Sequence, residues 1–356
     1  MSIFSAQSDY SKDLFIILEK ILHKNKVGYL LEYPPSLMES CFMSQHTHPA
    51  DTHPATMPEN ANLGIMFGGI AALIWGAWPI VTAIGVKADF TPYELVFLRL
   101  SIAGVLLLPW AFRGDTSLKA WGHSLMLTVL AGGTYSYMSA SGFQYASAMH
   151  GGVIIPGTVM LISLFASHLW LGDSLTRNRL MGAASITLGL GLLAAGSPAQ
   201  ANGQSSLLGD AFFLVAGIMW AGYTLLLRVW PMDPIVVTAR ISLLSLIGFL
   251  AFYPVSDGID FTDVPTSMLL LQAVWQGLLS AVIAIVFFNK GVAILGAARA
   301  GVVNALIPVI AMILAFLILS EVPTGMEQLG LLFIMAGIGI IMVMKQKAPK
   351  TAPLTP

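Results

Sequence analysis

Ten apolar stretches, each long enough to cross a bilayer, follow one another between about Leu63 and Met344. A hydrocarbon core of about 30 Å needs roughly 20 residues of helix, which matches their lengths. The chain is 56% hydrophobic and only 10% charged, too little polar surface to coat a water-soluble globule. The sequence therefore predicts an all-α membrane protein with ten transmembrane helices. The predicted spans are residues 64–86, 92–112, 120–143, 148–171, 176–196, 207–229, 235–254, 267–289, 298–319 and 324–344.

The second five stretches repeat features of the first five, at offsets between about 141 and 148 residues. The recurring groups are Trp75-Gly76-Ala77 with Trp220-Ala221-Gly222, Pro92 and Arg99 with Pro234 and Arg240, Gly172-Asp173 with Ser320-Glu321, and Gly182, Gly189 and Gly191 with Gly330, Gly337 and Gly339. Such self-similarity indicates an internal duplication. Because each copy holds five spans, an odd number, the second copy is expected to enter the membrane from the opposite side. An inverted repeat is typical of proteins that open alternately to either face of a membrane.

The duplication divides the chain into a first five-helix repeat at residues 61–197 and a second at residues 205–345, with a tail at 346–356. Residues 1–60 do not share this pattern. They contain a short apolar segment, Leu14 to Leu22, and a polar, proline-containing tract, so we expect them to be disordered or weakly structured. An alternative is that translation begins at Met57 and that residues 1–56 are not made.

Positive charges lie mostly on one side of the predicted spans. If both termini are inside, the inner loops and tail carry Arg113, Lys119, Arg177, Arg179, Arg228, Lys290, Arg299, Lys345, Lys347 and Lys350, while the outer loops carry only Lys87. Positively charged loops stay in the cytoplasm, so this asymmetry predicts cytoplasmic termini in the inner or plasma membrane. No basic patch or motif indicates a nucleic-acid partner.

Arg99 and Arg240 are the most informative charges. Each lies six or seven residues beyond a proline, hence roughly 10 Å along its helix. A guanidinium at this depth costs at least ~2.5 kcal/mol on insertion and persists where it faces a cavity or a partner. Two hypotheses remain open: contact with an anionic or carboxylate group of a ligand, or pairing with backbone carbonyls that holds the bundle together.

Prolines mark two corresponding spans. Pro308 interrupts one, and Pro156 interrupts its counterpart in the first copy. A proline inside a helix frees a carbonyl, which can line a cavity at membrane depth. His150 and Asn304 lie near these prolines, so all four are candidate cavity residues, although a tolerated kink would explain the prolines equally well.

The third and eighth spans supply further polar candidates, namely Tyr135, Gln144, Trp275 and Gln276. Polar side chains in lipid must find partners, so we expect them to face inward. They either line the cavity or form hydrogen bonds between helices.

No carboxylate lies in the middle of a predicted span, since Glu94, Asp173, Asp210 and Glu321 are all at span ends. A buried acid that alternates between a proton and a cationic ligand is therefore not evident. Two arginines within spans and no central acid favour neutral, zwitterionic or anionic small molecules.

The sequence gives little support to an enzyme. His168 and Asp173 have a spacing used for a base and its orienting acid, but no further motif accompanies them. His46, His48 and His53 have no additional metal ligands, and no Walker A sequence is present, so neither a metal nor a cofactor is predicted.

The tandem five-span unit resembles the EamA domain of the drug/metabolite transporter superfamily. The residues that carry the resemblance are the stretch from Ala300 through Pro308 to Glu321, and Arg99 in Phe97-Leu98-Arg99. The first copy departs from the pattern, because Met160 is aligned with Pro308 and Pro156 comes one turn earlier. The resemblance implies a cavity between the copies lined by spans one to four and six to nine. It also implies peripheral fifth and tenth spans, available for contacts in a homodimer.

These observations together predict a secondary transporter that exports a small metabolite by alternating access. The expected substrate is amino acid-like, zwitterionic or anionic. The alternatives are a membrane-embedded enzyme that uses His168 and Asp173 on a lipid-linked substrate, and a membrane sensor that transports nothing.

Overall fold

The computed structural model describes residues 61–196, 206–230, 232–253, 258–262, 264–295 and 305–343. Asn304 and residues 1–56 lie outside these ranges. One compact unit comprises residues 57–264 and 268–356, and the site described below belongs to it.

The described residues form helices joined by short turns, and no strand occurs among them. The helices are α1 (Ala61–Lys87), α2 (Pro92–Leu106), α3 (Leu108–Ala111), α4 (Leu118–Ala131), α5 (Gly133–Gly142), α6 (Ala148–Leu171), α7 (Arg177–Gly196), α8 (Ser206–Val229), α9 (Pro234–Phe252), α10 (Thr266–Gln272), a π-helix (Ala273–Ile283), α11 (Ala284–Leu295), α12 (Ile307–Leu319) and α13 (Gly325–Val343). The all-α prediction is confirmed for this part of the chain.

Six candidate spans are long and apolar enough to cross a membrane, as judged by length and composition over the described ranges. They are α1, α6, α7, α8, α9 and the continuous stretch Thr266–Leu295. Shorter apolar helices cover Ile307–Leu319 and Gly325–Ile341. The full count of ten spans stays a prediction.

Two of the predicted spans are broken helices. The second is divided at Leu107 into α2 and α3, and the third at Gly132 into α4 and α5. The amide of Gly133, which has no partner within its helix, donates to Ser245 Oγ on α9 at 3.0 Å. A neighbouring side chain therefore stabilises the break, which is a recognised cause of helix kinks.

The two turns of the duplication have the same backbone geometry. Gly172 after α6 and Ser320 after α12 both adopt the left-handed conformation, with φ of 71° and 54°. In both turns the amide of the next residue, Asp173 or Glu321, bonds a carbonyl six residues back at 3.2 Å. The amides of Gly172 and Ser320 bond the same two carbonyls, so both helices end in the same hydrogen-bonded turn.

The main hydrophobic core draws on both halves of the chain. Its buried members include Val153, Ile154, Ile186, Leu193, Phe213, Ala216, Ala311, Ala315, Ile334 and Ile338. Helix α7 packs against α13, and α6 packs against α8 and α12. Glycines allow the closest approach, since a Cβ on Gly189 would lie 2.6 Å from the carbonyl oxygen of Gly330.

Candidate functional site

Arg99 is positioned by a well-capped helix. Helix α2 begins with a capping box, in which Thr91 Oγ1 accepts from the Glu94 amide and the Glu94 carboxylate accepts from the Thr91 amide. Pro92, at the first position of the helix, lacks only an N–H that would have had no helical partner. Two turns further on, Arg99 projects toward the second half of the chain, and its Nη1 donates to Ser280 Oγ at 2.9 Å.

The guanidinium of Arg99 lies beside aromatic rings rather than beside an acid. Its Cζ is 5.8 Å from the centre of the Trp78 ring. Tyr135 on α5 is close enough to Arg99 for an electrostatic interaction. Within the described part of the chain, no carboxylate forms an ion pair with Arg99. A guanidinium has five N–H donors, and one of them bonds Ser280 in the described structure.

A polar ladder joins α1 to the π-helix on the same side. Trp78 Nε1 donates to Gln276 Oε1 at 2.7 Å, and Gln276 Nε2 donates to Thr82 Oγ1 at 3.0 Å. One turn away, Gln272 Nε2 donates to the carbonyl of Val81 at 2.7 Å. These bonds satisfy the buried amides and fix the surface on which Arg99 and Ser280 meet.

The π-helix was not foreseen from the sequence. Over Ala273–Ile283 the wider turn presents Gln276 toward α1 and Ser280 toward α2. No residue pattern in this apolar stretch distinguishes it from an ordinary span, so only the tertiary contacts show it.

The other predicted residues near this surface are placed differently. Tyr135 is half-buried and packs on Trp220, with ring centres 4.8 Å apart. Trp275 is half-buried, and its Nε1 is buried with no hydrogen-bond partner in the described ranges. Gln144 is exposed in the turn after α5, and the structure does not place it at Arg99.

The two prolines are not equivalent. Pro156 lies inside the continuous helix α6, whereas Pro308 lies in the first turn of α12, where its missing N–H costs no helical bond. Near Pro156 the helices approach closely, since a Cβ on Gly152 would lie 2.7 Å from the Cβ of Ala311. Helix α6 is therefore closely packed against α12 one turn before Pro156.

His150 belongs to a separate cluster. Its Nδ1 lies 2.7 Å from Asp210 Oδ1, and its Nε2 lies 3.1 Å from Glu327 Oε1. All three side chains are buried, and they lie near the N-termini of α6, α8 and α13. We call these three residues the His150 cluster. It joins the first half of the chain to the second.

Glu321 reinforces the same end of the bundle. Its two carboxylate oxygens accept from the amides of Ala148 and Met149, each at 2.9 Å. A carboxylate at a helix N-terminus is stabilised by the helix dipole and by these otherwise unpaired amides. The sequence identified Asp210 and Glu321 as acids at span ends, but Glu327 was missed because it fits an ordinary first-turn position.

Arg240 is buried with only 1% of its surface exposed, and its partners are backbone carbonyls. Its Nε donates to Ala111 O at 2.9 Å, and its Nη2 donates to Arg113 O at 3.0 Å and Asp115 O at 2.7 Å. The guanidinium also lies 5.0 Å from the centre of the Trp121 ring. Such contacts agree with the hypothesis that Arg240 pairs with backbone carbonyls and holds the bundle together.

A cavity of about 420 Å³ opens beside Arg240, at the end of the bundle opposite the His150 cluster. Its lining residues are Arg113, Gly114, Asp115, Lys119, Ala120, His123, Trp230, Met232, Asp233, Val236 and Arg240. Hydrogen bonds from the backbone and hydroxyl of Ser117 hold the pKa of the Asp115 carboxyl below its usual value, so this acid is ionised. The cavity is therefore a charged vestibule with an excess of basic groups.

His168 and Asp173 do not form a base with its orienting acid. The ring Nδ1 of His168 lies 2.7 Å from the backbone carbonyl of Asp173, while the Asp173 carboxylate accepts from Arg228 Nη1 at 3.1 Å. No group of three or more His, Cys, Asp or Glu residues in the described ranges is arranged to hold a metal ion.

Comparisons with known proteins give the identity of the fold. The model of the EamA-like transporter family matches the chain twice, over residues 62–195 and 207–343. An uncharacterized transporter of Archaeoglobus fulgidus is 25% identical over 279 residues, covering 76% of this chain and 93% of that protein. The uncharacterized transporter YdeK of Bacillus subtilis is 30% identical over 267 residues, covering 72% of this chain and 89% of YdeK.

A solved structure described as "Crystal structure of protein" has a TM-score of 0.52 at 18% identity, covering 79% of this chain and 96% of that chain. This likeness concerns the fold alone. The family model, by contrast, covers both halves of the sequence and confirms the duplication. The chain belongs to the EamA-like transporter family and is a multi-pass membrane transporter built from two copies of the family's domain.

Proposed function

We propose that the protein is a secondary transporter that exports a small zwitterionic or anionic metabolite, amino acid-like in character, by alternating access between two inverted repeats. The observation that carries this proposal is the state of Arg99. Its guanidinium belongs to the second predicted span, bonds across the repeats to Ser280, and has no carboxylate partner in the described ranges.

The cost of placing this charge supports a ligand role. An arginine within a span costs at least ~2.5 kcal/mol, and the neutral hydroxyl of Ser280 does not compensate the charge. A carboxylate or phosphate oxygen of a substrate would do so, and the planar fork suits a bidentate contact. The binding of such a group therefore explains why the charge is kept at this position.

The aromatic side chains near Arg99 favour a substrate that carries an ammonium group or an apolar side chain in addition to its carboxylate. Trp78 flanks the guanidinium, and Tyr135 with Trp220 extends the surface by a further pair of rings. Ring faces attract an ammonium group and also pack well against an apolar side chain. An amino acid combines a carboxylate for Arg99 with either of these groups.

The proposed orientation places both termini in the cytoplasm of a cell with the chain in its inner or plasma membrane. The vestibule beside Arg240 would then face the cytoplasm, and the His150 cluster the outside. The positive charges of Arg113 and Lys119 at the vestibule would attract anionic metabolites from the cell interior.

Cysteine labelling tests this orientation. In a chain whose Cys41 is replaced by serine, we expect Asp260→Cys to react with an impermeant thiol reagent in intact cells. Lys119→Cys should react only after permeabilisation. The side chains of Asp260 and Lys119 are both exposed, so the difference in labelling reports which side of the membrane each residue faces. The opposite pattern would contradict the cytoplasmic assignment of the termini.

Efflux measurements test the role of Arg99. Cells are loaded with a panel of radiolabelled amino acids, and efflux is normalised to folded protein. Arg99→Ala should lower the specific flux about 10- to 100-fold, because a hydrogen bond to a charged group contributes about 1.5–3 kcal/mol. Arg99→Lys should retain part of the flux, since it keeps the charge and loses the fork.

Arg177→Ala is the matched control, because Arg177 is exposed at the start of α7 and its loss should leave flux unchanged. Normal specific flux in Arg99→Ala would end the claim that this residue contacts the substrate. If no amino acid moves, comparison of the medium of deletion and overexpressing strains identifies the exported class, and a cationic compound there would overturn the proposed one.

A further inference from the structure

The His150 cluster has an uncommon arrangement of acids around one imidazole. Both ring nitrogens of His150 face carboxylate oxygens, Asp210 Oδ1 at 2.7 Å and Glu327 Oε1 at 3.1 Å. The two acids lie on opposite edges of the ring, so they cannot chelate one cation together with it. The geometry is that of two hydrogen bonds in a line.

Counting protons shows what this geometry requires. A neutral imidazole carries one N–H and one lone pair, so it can donate to only one of two ionised carboxylates. Its other nitrogen would then face a carboxylate oxygen, lone pair against lone pair. Both contacts become hydrogen bonds only if one more proton is present, either as imidazolium or as a carboxylic acid donating to the ring.

The surrounding charges favour retention of that proton. The cluster has 4% of His150, 5% of Asp210 and 6% of Glu327 exposed, so bulk water screens it little. Glu321 adds a third carboxylate at the start of α6, and no lysine or arginine in the described ranges pairs with any of the three. Without the proton, the ionised carboxylates would stand unbalanced in a buried site, which is costly.

One oxygen in the cluster has no partner. Glu327 Oε2 accepts from the Thr324 amide, but Asp210 Oδ2 is buried and accepts no hydrogen bond from any described residue. Such an atom destabilises the closed arrangement, because its lost hydration is not replaced. When this end of the bundle opens, water can donate a hydrogen bond to Asp210 Oδ2, so hydration stabilises Asp210 more than the other two residues of the cluster.

We infer that His150, Asp210 and Glu327 form a proton-binding site that closes this end of the bundle. With the proton bound, α6 of the first repeat is bonded to α8 and α13 of the second. When the proton leaves to the aqueous side, one of the two bonds is lost, and the helices separate at this end. The bound proton stands independently of the transport proposal, whereas its role as the coupling ion rests on the proposed function.

Magnetic resonance of the purified full-length protein tests the bound proton directly. Histidine is isotopically labelled in both ring nitrogens, and the His150 signal is assigned by its loss in His150→Gln. His168→Gln is the matched control, because that exposed ring contacts only a backbone carbonyl and should remove a different signal. Infrared spectra of Asp210→Asn and Glu327→Gln report any buried carboxylic acid.

An imidazolium at His150 supports the proton site, and so does a carboxylic acid band lost in either acid variant. A neutral imidazole together with two ionised carboxylates across the whole stable pH range would overturn it. These readouts do not depend on the substrate or on transport, so they can fail while the proposed function holds.

Thiol reactivity tests the closing of the bundle. Met149 is 3% exposed beside His150, and Met149→Cys is made in the background without Cys41. Because any thiol reacts faster as it ionises, each rate is divided by that of an exposed reference, Arg177→Cys in the same background, at the same pH. Raising the pH should increase this relative rate about 10- to 100-fold, as expected when a charge-assisted hydrogen bond of about 1.5–3 kcal/mol is lost. His150→Gln should give a high relative rate at every pH, and His168→Gln should behave as the parent. A relative rate in the parent that does not change with pH would overturn the link between the proton and opening.

Discussion

Arg99 and Arg240 occupy matching places in the two repeats, yet their surroundings differ. Arg99 reaches across to a single hydroxyl, Ser280, whereas Arg240 reaches across to three backbone carbonyls and is almost fully buried. Both arginines join one repeat to the other. A duplicated backbone position therefore does not fix its chemistry: the guanidinium of Arg240 donates to three carbonyls, whereas that of Arg99 donates to one hydroxyl among the described residues.

The backbones of the two repeats have remained more alike than their charges. Gly172 and Ser320 end their helices in the same left-handed conformation, and the acids that follow make the same backbone bond. The carboxylates then diverge, because Asp173 pairs with Arg228 while Glu321 binds the amides that begin α6.

The largest expected difference in stability is between the arginines. Arg240→Ala should lower the free energy of unfolding by on the order of 3 kcal/mol, because three buried carbonyls lose a charged donor. Arg99→Ala should cost about 1 kcal/mol, since it removes one bond to a hydroxyl that still donates to the carbonyl of Gln276. Detergent-induced unfolding followed by tryptophan fluorescence measures both.

Equal losses for the two variants would contradict the division of roles. A specific flux that falls in Arg240→Ala as far as in Arg99→Ala would mean that the second arginine also acts on the substrate. Arg228→Ala is a suitable control, because this arginine is exposed and pairs only with Asp173 among the described residues.

A second comparison concerns two glycines of α7 that lie two residues apart. A Cβ on Gly189 would lie 2.6 Å from Gly330 O and 2.8 Å from the amide of Ile334, whereas a Cβ on Gly191 would meet nothing within 4 Å. Gly189→Ala should therefore separate α7 from α13 and cost about 1–3 kcal/mol. Gly191→Ala should be neutral or slightly stabilising.

The same unfolding assay distinguishes these variants. If both were neutral, the close packing of α7 on α13 within one chain would be wrong, and the glycine faces would be free for another partner. If both were destabilising, the loss would come from the helix itself rather than from the contact.

Much of the fold followed from the sequence because span length and duplication are properties of the pattern itself. Apolar periodicity located the helices, and the offset pairs located the matching turns. The breaks at Leu107 and Gly132 and the π-helix were not foreseen. They depend on distant groups, such as Ser245 meeting the Gly133 amide, which no local pattern records.

The sequence predicted Arg99 and His150 as candidate site residues, but it did not predict their partners Ser280 and Glu327. An arginine or a histidine inside a span is costly alone, so its presence predicts a partner, but not which one. Ser280 lies 181 residues from Arg99, and Glu327 lies 177 residues from His150. Glu327 also accepts from Thr324 as an ordinary helix cap does, which hid its second contact.

The smallest effects concern the two turn carboxylates. Glu321→Gln should cost about 1–2 kcal/mol, because an amide has one acceptor oxygen for the two amides of Ala148 and Met149. Asp173→Asn should cost less than about 1 kcal/mol near neutral pH, since its ion pair with Arg228 is largely exposed. A larger loss for Asp173 than for Glu321 would reverse the comparison.

The stability that Asp173 contributes to its turn should also depend on pH. Partial burial tends to raise the pKa of the Asp173 carboxyl, but the hydrogen bond and charge of Arg228 outweigh it and hold the pKa below its usual value. A carboxyl whose folded pKa is depressed stabilises the fold above its unfolded pKa of about 3.9, and this contribution disappears as the pH falls through the folded pKa. The stability difference between the parent and Asp173→Asn should therefore shrink to zero in acid, as measured by unfolding at several pH values. A difference that stays constant down to the lowest pH would show that Asp173 acts through packing and not through its charge.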